Sequence, residues 1–412
     1  MLEERFYWLG FSAFPAIGPA RFKKLLAEFG TAKNAWEAAR RPLARLIGEE
    51  TAEKLEEFKN KFSIEGYIKK LKEKNVWFVT LEDEEYPELL KEIKNPPFVL
   101  YWRGNIEVLT DYARQPRVSD DARLQNSENQ PLNSASLSKI RHQPEAQPNF
   151  NSSESGLPRS TIAVVGARKT TEYGREVTKL LTTELVLNGF TIVSGLALGV
   201  DAISHMTALE NGGKTIAVLG CGVDCCNPGE NLSIYNSILE KGSCIVSEFP
   251  LGMKPTLWTF PARNRIIAGL SEAVLVTEGA QDSGSLITAN FALKFNRKVF
   301  AVPGPITSSM SKGPYKLIQK GAKLVTDAKD IFEELKITNS KLQSPNKSQS
   351  TKFKTANKEE QKILDLLRNE ALHFDEIVRK TKFSSSKLSS LLSLMEIKGL
   401  IKSLDGGMFS AC

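Results

Sequence analysis

With 412 residues, 41% of them hydrophobic and 25% charged, the sequence has the balance of a globular protein large enough for roughly two to four domains. No apolar run approaches the about 18 residues of a membrane span, and the acidic opening MLEERFYWLGF lacks the basic-then-apolar pattern of a secretory signal. A cytoplasmic protein without a membrane span is expected. The net charge of +7 permits a polyanionic partner without requiring one.

Residues 1–75 read as short helices. AIGPARFKKLLAEFG carries apolar residues at helical spacing after an Ile-Gly-Pro turn, and PLARLIGEETAEKLEEFKNKF repeats the theme around Gly48. Two readings stand side by side. One is a helix-hairpin-helix whose second helix start faces a DNA phosphate, with Lys23 and Lys24 adding charge. The other is a helical packing domain in which the glycine only turns the chain. Residues 76–104 read as strand, short helix, strand. From 105 to about 160 the chain is rich in Asn, Gln, Ser and Pro and has no period. It cannot bury enough apolar surface to offset its chain entropy, so a disordered insertion is expected there.

From 161 to about 335, apolar runs (TIAVVG, FTIVSG, TIAVLG, SCIVSEF, AVLVTEG, KVFAVPG, AKLVTD) alternate with helical patterns. Continuous apolar strands joined by helices predict a mainly parallel, doubly wound, Rossmann-like α/β sheet covered on both faces. Residues 76–337 therefore form the central domain. Residues 338–356 are a polar, lysine-bearing linker. Residues 357–412 show three helical patterns and then two short strands around Asp-Gly-Gly, a winged helix. Its third helix, SSSKLSSLLSLMEIKG, in the position of a recognition helix, offers serines and Lys387 but no arginine or asparagine fork for base edges. A protein contact or a weak duplex-DNA contact fits that composition.

Ligands of such a sheet bind beyond the carboxyl ends of the strands. After TIAVV stand Gly166, Arg168, Lys169 and Thr170, a tight turn followed by a helix start and a phosphate-gripping fork. After FTIV stand Ser194, Gly195 and Gly199, with Asp201 placed to cap the next helix. FPARNRIIAGL puts Arg263, Asn264 and Arg265 in what reads as one short basic loop. Ser283, Gly284 and Ser285 open the following helix as a possible anion nest. Together the loops describe a groove for a chain of phosphates. The catalytic inventory is thin: His205 reads as helical packing, Glu278 and Glu248 are isolated acids, and there is no G-x-x-x-x-G-K-[ST] loop. Three of the five cysteines sit in CGVDCC at 221–226, a spacing without a second half. No metal site and no cofactor are expected, and a reducing compartment suits the cysteines better than a disulfide framework.

The motifs VVGARKTTEYG, SGLALGVDAISH, SEFPLGMKP, FPARNRIIAGLS, VTEGAQDSGSLITANFAL and VFAVPGP, in that order, resemble the bacterial DNA-processing protein A family (DprA, also called Smf). EEYPELLKEIKNPPFVLYWRGN resembles that family's approach to the sheet domain. The resemblance implies a non-enzymatic, usually dimeric single-stranded DNA-binding protein that protects incoming strands and helps load RecA recombinase during natural transformation. It carries the DNA-binding role over to Gly166 and Arg168, with Lys169 and Thr170, and to Ser194, Gly195 and Gly199. It does the same for Arg263, Asn264 and Arg265, with Ser283, Gly284 and Ser285 opposite. It also likens residues 1–75 to a sterile-alpha-motif or helix-hairpin-helix extension. The 105–160 insertion and the Cys-Cys-Asn of GCGVDCCNPGEN depart from the family pattern. The alternative from another class is a Rossmann-like nucleotide-processing enzyme, such as a phosphoribohydrolase, relying on Glu278 or Glu248. A duplex-DNA regulator led by the winged helix is a third reading.

Overall fold

Strands covered on both faces need apolar side chains at successive positions, and the centre of the sheet has them. In β3 (Thr161–Val165) every residue is buried. Its alternate residues face opposite ways: Ile162 and Val164 join one hydrophobic cluster, Ala163 and Val165 another. The computed structural model describes residues 2–110, 160–336, 358–367, 370–397, 400–404 and 406–411. Most of the expected insertion and the 338–356 linker lie outside the described residues.

Contacts divide the chain into two units, Met1–Ile337 and Thr338–Cys412. The first opens with α1 (Glu4–Ser12), α2 (Pro19–Phe29), α3 (Ala32–Glu37), α4 (Arg40–Ile47), α5 (Glu49–Lys61) and α6 (Ile64–Glu73). Gly48, at φ 90°, separates α4 from α5, a backbone state that L side chains rarely adopt. Lys23 and Lys24 are exposed on α2, while Phe22 and Leu25 of the same helix are buried. The helical segment shares one core with the sheet: Phe11, Phe22 and Leu55 belong to the same cluster as Tyr101, Leu219 and Ile245.

The edge of the sheet is built by β1 (Trp77–Thr80), α7 (Glu88–Lys91) and β2 (Val99–Gly104), the two strands pairing antiparallel. The structureless reading from residue 105 is corrected at its start. Glu107–Thr110 forms a helical turn, α8, and buries Val108 and Leu109. After β3 come α9 (Glu172–Leu187), β4 (Thr191–Ser194), α10 (Val200–Glu210), β5 (Thr215–Val218), α11 (Leu232–Glu240) and β6 (Cys244–Ser247). Then follow α12 (Thr259–Gly269), β7 (Ala273–Val276), α13 (Ser285–Lys294), β8 (Lys298–Ala301), α14 (Lys312–Gln319), β9 (Lys323–Leu324) and α15 (Ala328–Glu334).

Among the described residues the sheet order is β1-β2-β6-β5-β4-β3-β7-β8-β9, parallel from β6 to β9, with β2 antiparallel to β6. The chain winds outward from β3 to β6 and then returns to lay β7 on the other side of β3. That reversal opens a crevice beyond the carboxyl ends of β3 and β7, the place where such sheets bind ligands.

The CGVDCC loop after β5 packs rather than lining that crevice. Asp224 pairs with Lys74 at 2.6 Å and accepts from the Gly252 amide at 2.9 Å, tying the loop to α6. Cys221 donates to the Cys225 carbonyl at 3.1 Å.

The second unit holds α16 (Lys358–Leu367), β10 (Leu372–His373), α17 (Phe374–Thr381), α18 (Ser385–Ile397), β11 (Ile401–Leu404) and β12 (Met408–Ala411), with strand order β10-β12-β11. Ile363, Leu372, Ile377, Leu388, Leu392 and Ile401 form its own core. Lys387 of α18 pairs with Glu359 and lies 5.1 Å from the Phe383 ring, so this cation already has partners. Among the described residues no helix is long and apolar enough to cross a membrane.

Candidate nucleic-acid interface

The turn after β3 is tight because its neighbours leave no space for a side chain. A Cβ on Gly166 would lie 2.5 Å from Val200 Cγ2 and 2.8 Å from the Glu278 carbonyl oxygen. The Ala167 amide donates to that carbonyl at 3.0 Å, and the Val200 amide donates to the Ala167 carbonyl at 3.1 Å. The turn is thereby fixed to both neighbouring loops. Gly199, at φ 78°, lets the α10 start approach it; a Cβ there would strike the Ala167 carbonyl.

Beyond the turn, Arg168 and Lys169 are exposed, and the Arg168 guanidinium lies 5.4 Å from the centre of the Phe260 ring. Thr171 then caps α9, accepting from the Gly174 amide at 3.0 Å. Glu278 holds this cap. Its two carboxylate oxygens accept from the Thr171 amide at 2.9 Å and the Thr171 hydroxyl at 2.8 Å. The best isolated acid of the sequence is therefore a buried clamp, with both oxygens engaged.

The basic loop expected at 260–265 is instead helical, within α12. Pro261 falls in the first turn, where the missing N–H breaks no helical bond. Successive helical residues point about 100° apart, so the two arginines diverge. Arg263 is buried and donates to the carbonyls of Gly195 and Val218, closing the ends of β4 and β5. Its Nε donates to Asn264 Oδ1 at 3.0 Å, and Asn264 Nδ2 reaches the Gly284 carbonyl at 3.3 Å. Arg265 turns the other way and pairs with Glu248. Burial raises the Glu248 pKa against the pull of that arginine.

Asp201 does not cap its helix. Its carboxylate accepts from the amides of Gly195 at 3.1 Å and Ala197 at 3.4 Å, pinning the β4–α10 loop. Burial raises its pKa, and Arg263 works in the opposite direction. Burial likewise lowers the Arg263 pKa, with Asp201 restoring and Arg168 opposing its charge. His205 is buried in α10 with Nδ1 2.6 Å from the Thr215 hydroxyl; burial, then Arg263, push its pKa down to about 3.

These elements enclose a groove of about 470 Å3. Gly166, Arg168, Lys169, Arg263, Asn264, Ser283, Gly284 and Ser285 line it together. The structure does not bring Thr170, Ser194, Gly195, Gly199 or Arg265 to its wall. Ser194 is fully buried and donates to the Val164 carbonyl at 2.7 Å; Gly195 backs onto the Arg263 guanidinium. The wall also contains Phe260 and Leu257, the latter 92% exposed. Phe249 and Trp258, the other aromatics near this segment, pack on each other at 5.5 Å. Phe260 alone of the three stands within α12, whose phase sets the direction of its ring. The opposite wall is the start of α13, where the Ser283 and Ser285 hydroxyls lie 2.8 Å apart and the amides of Ser285, Leu286 and Ile287 donate to Ser283 Oγ, the Ser283 carbonyl and the Gly284 carbonyl. Exposed cations, serine hydroxyls and an aromatic face can hold phosphates and stack a flat ring. Among the described residues, no group of three or more His, Cys, Asp or Glu is arranged to hold a metal ion.

A family model described as DNA recombination-mediator protein A matches residues 77–115 and 139–336, and one described as DprA winged helix domain matches 347–407. The gap at 116–138 lies within the stretch expected to be an insertion. Protein Smf of Synechocystis sp. is 35% identical over 337 residues, which is 81% of this chain and 73% of that protein. DNA processing protein DprA of Bacillus subtilis is 38% identical over 264 residues, 64% of this chain and 73% of its own. The X-ray structure of DNA processing protein A from Streptococcus pneumoniae matches with a TM-score of 0.60 at 30% identity, covering 81% of this chain and 98% of that one.

Proposed function

The chain belongs to the DNA recombination-mediator protein A family, and from that premise we propose that it is a cytoplasmic, non-enzymatic single-stranded DNA-binding protein of DNA uptake. In this reading it shields incoming strands in natural transformation and helps load RecA recombinase onto them for homologous recombination. The observation that carries the DNA-binding part is the groove wall itself: Arg168 and Lys169 exposed beside the Phe260 face, opposite the Ser283 and Ser285 hydroxyls at the start of α13. Hydroxyls and cations suit phosphates of any sequence, and an aromatic face suits a base whose own face is free. Duplex bases have their faces covered by stacking, so a single strand fits better.

The names of the relatives, DNA processing proteins, support a DNA partner. The working domain division is 1–75 helical, 76–337 sheet domain, 338–356 linker and 357–412 winged helix, acting as a homodimer. The exposed face of α18 offers Ser386, Ser389, Ser390, Ser393 and Leu394, which favours a protein contact over base reading. The enzyme alternative loses support because Glu278 is held by Thr171 and Glu248 by Arg265.

The test is anisotropy of labelled oligo-dT across a salt series, for the unaltered protein and Arg168→Ala. The unaltered protein should bind with a steep salt slope, and the variant should bind more weakly with a slope shallower by about 0.7 for one lost phosphate contact. No binding at moderate salt, or equal binding by the variant, overturns the reading.

A further inference from the structure

Beside the groove, at the start of α13, the surface is hollowed again. A second concavity of about 220 Å3 lies on the other side of that helix start, and the two share Ser283 and Ile287 as a common wall. Ile287 is 38% exposed there, an apolar step between the two hollows. The far wall is α14 with its C-cap, which bring Lys316 and Lys320 into the lining, while Asn290 of α13 supplies an amide.

The fold holds α14 in this position by direct backbone contact. The Gly313 amide donates to the Gly279 carbonyl at 2.8 Å, and a Cβ on Gly313 would lie 2.5 Å from that oxygen. Leu317 of α14 is buried beneath the same helix. Lys316 and Lys320 are both exposed and have no ion-pair partner among the described residues. They are four residues apart, hence on one helical face and about 6 Å apart along the axis. Two like charges at this spacing repel each other, and the acid of the same hollow, Asp282, pairs with neither. A chain of phosphates passing over α14 would relieve that repulsion.

We propose that the strand held in the main groove continues over Ser283 and Ile287 into this second hollow, where Lys316 and Lys320 take its next phosphates. The inference rests on the DNA-binding reading of the main groove and extends its footprint. Charge and adjacency to that groove select the occupant: the two hollows share Ser283 and Ile287, and Lys316, Lys320, Gln281 and Asn290 supply polar groups beside Leu286 and Leu317.

The test compares full-length Lys316→Gln/Lys320→Gln with the unaltered protein on oligo-dT of about 6 and about 20 nucleotides. Lys70→Gln/Lys72→Gln, two exposed positions of α6 that line neither hollow, controls for loss of net charge. The α14 variant should lose about 10-fold in affinity for the long strand near 0.15 M salt, with a slope shallower by about 1.4, from two lost single-strand contacts. It should bind the short strand as before, and the α6 control should bind both as before. Unchanged affinity and slope on the long strand overturn this inference alone. So does an equal loss in the α6 control. If the unaltered protein binds neither strand, the DNA-binding reading falls with it. Unchanged melting temperatures show that each variant folds.

Discussion

Arg263→Ala separates a phosphate grip from a buried support. Arg263 is 5% exposed and donates to the carbonyls of Gly195 and Val218, and its charge supports that of Asp201. Truncation leaves two strand-end carbonyls without their donor and Asp201 buried without its nearest cation. Breaking a buried charged contact by removing one partner costs about 3–5 kcal/mol. For a unit of about 290 described residues, the unfolding entropy is about 0.6 kcal/mol per degree, so the melting temperature should fall by about 5–8 °C. Arg263→Lys should recover little, because one ammonium lacks the planar fork that spans two carbonyls. Calorimetry on both variants, with Arg168→Ala alongside, gives the contrast: Arg168→Ala should lose DNA affinity and keep its melting temperature. If Arg263→Ala melts with the unaltered protein and only loses DNA affinity, Arg263 is a ligand contact and the support argument is wrong.

Phe260→Ala should weaken oligo-dT binding by about 1–3 kcal/mol per stacked base while leaving the salt slope unchanged, since stacking releases no counterions; a changed slope in the titration would contradict a stacking role. Gly174→Ala should destabilise, although alanine normally strengthens a helix by about 1 kcal/mol over glycine. The new Cβ would collide with the Glu278 carboxylate and displace it from Thr171, at a cost of about 1–3 kcal/mol, and a raised urea midpoint would refute this. His205 is held neutral with its pKa pushed down to about 3, against about 6.5 unfolded, so the native state binds fewer protons between those values. Its contribution is complete above about pH 6.5 and is lost as pH falls, by about 2 kcal/mol between pH 7 and pH 5. His205→Gln should flatten the stability profile over that interval by about that amount, and an unaltered profile in urea titrations would show that another group titrates.

The parallel sheet was legible in the sequence because burial on both faces demands runs such as TIAVV and AVLVT, which few other environments tolerate. The turn at Gly166 and the start of α13 were legible for a related reason: small residues between a strand end and a helix mark where the backbone turns sharply. The directions of side chains within FPARNRI were not. Pro261 and the polar run suggest a loop, yet proline in a first helical turn costs no bond. Once that segment is helical, neighbours in sequence part in space. Arg263 goes beneath the groove, Arg265 goes to Glu248, and Phe260 comes to lie under Arg168. Glu278 and Asp201 are similar cases. Their partners, Thr171 and the Gly195 and Ala197 amides, are supplied by the return of β7 beside β3 and by the closure of the β4–α10 loop. The sequence by itself determined the strands of the parallel sheet and where they end, and most of the helices between them, though not α8 or the helical state of 259–269. Only the tertiary structure decided which charged groups face solvent at those ends and which support the fold, because that depends on helical phase and strand order across long stretches of chain.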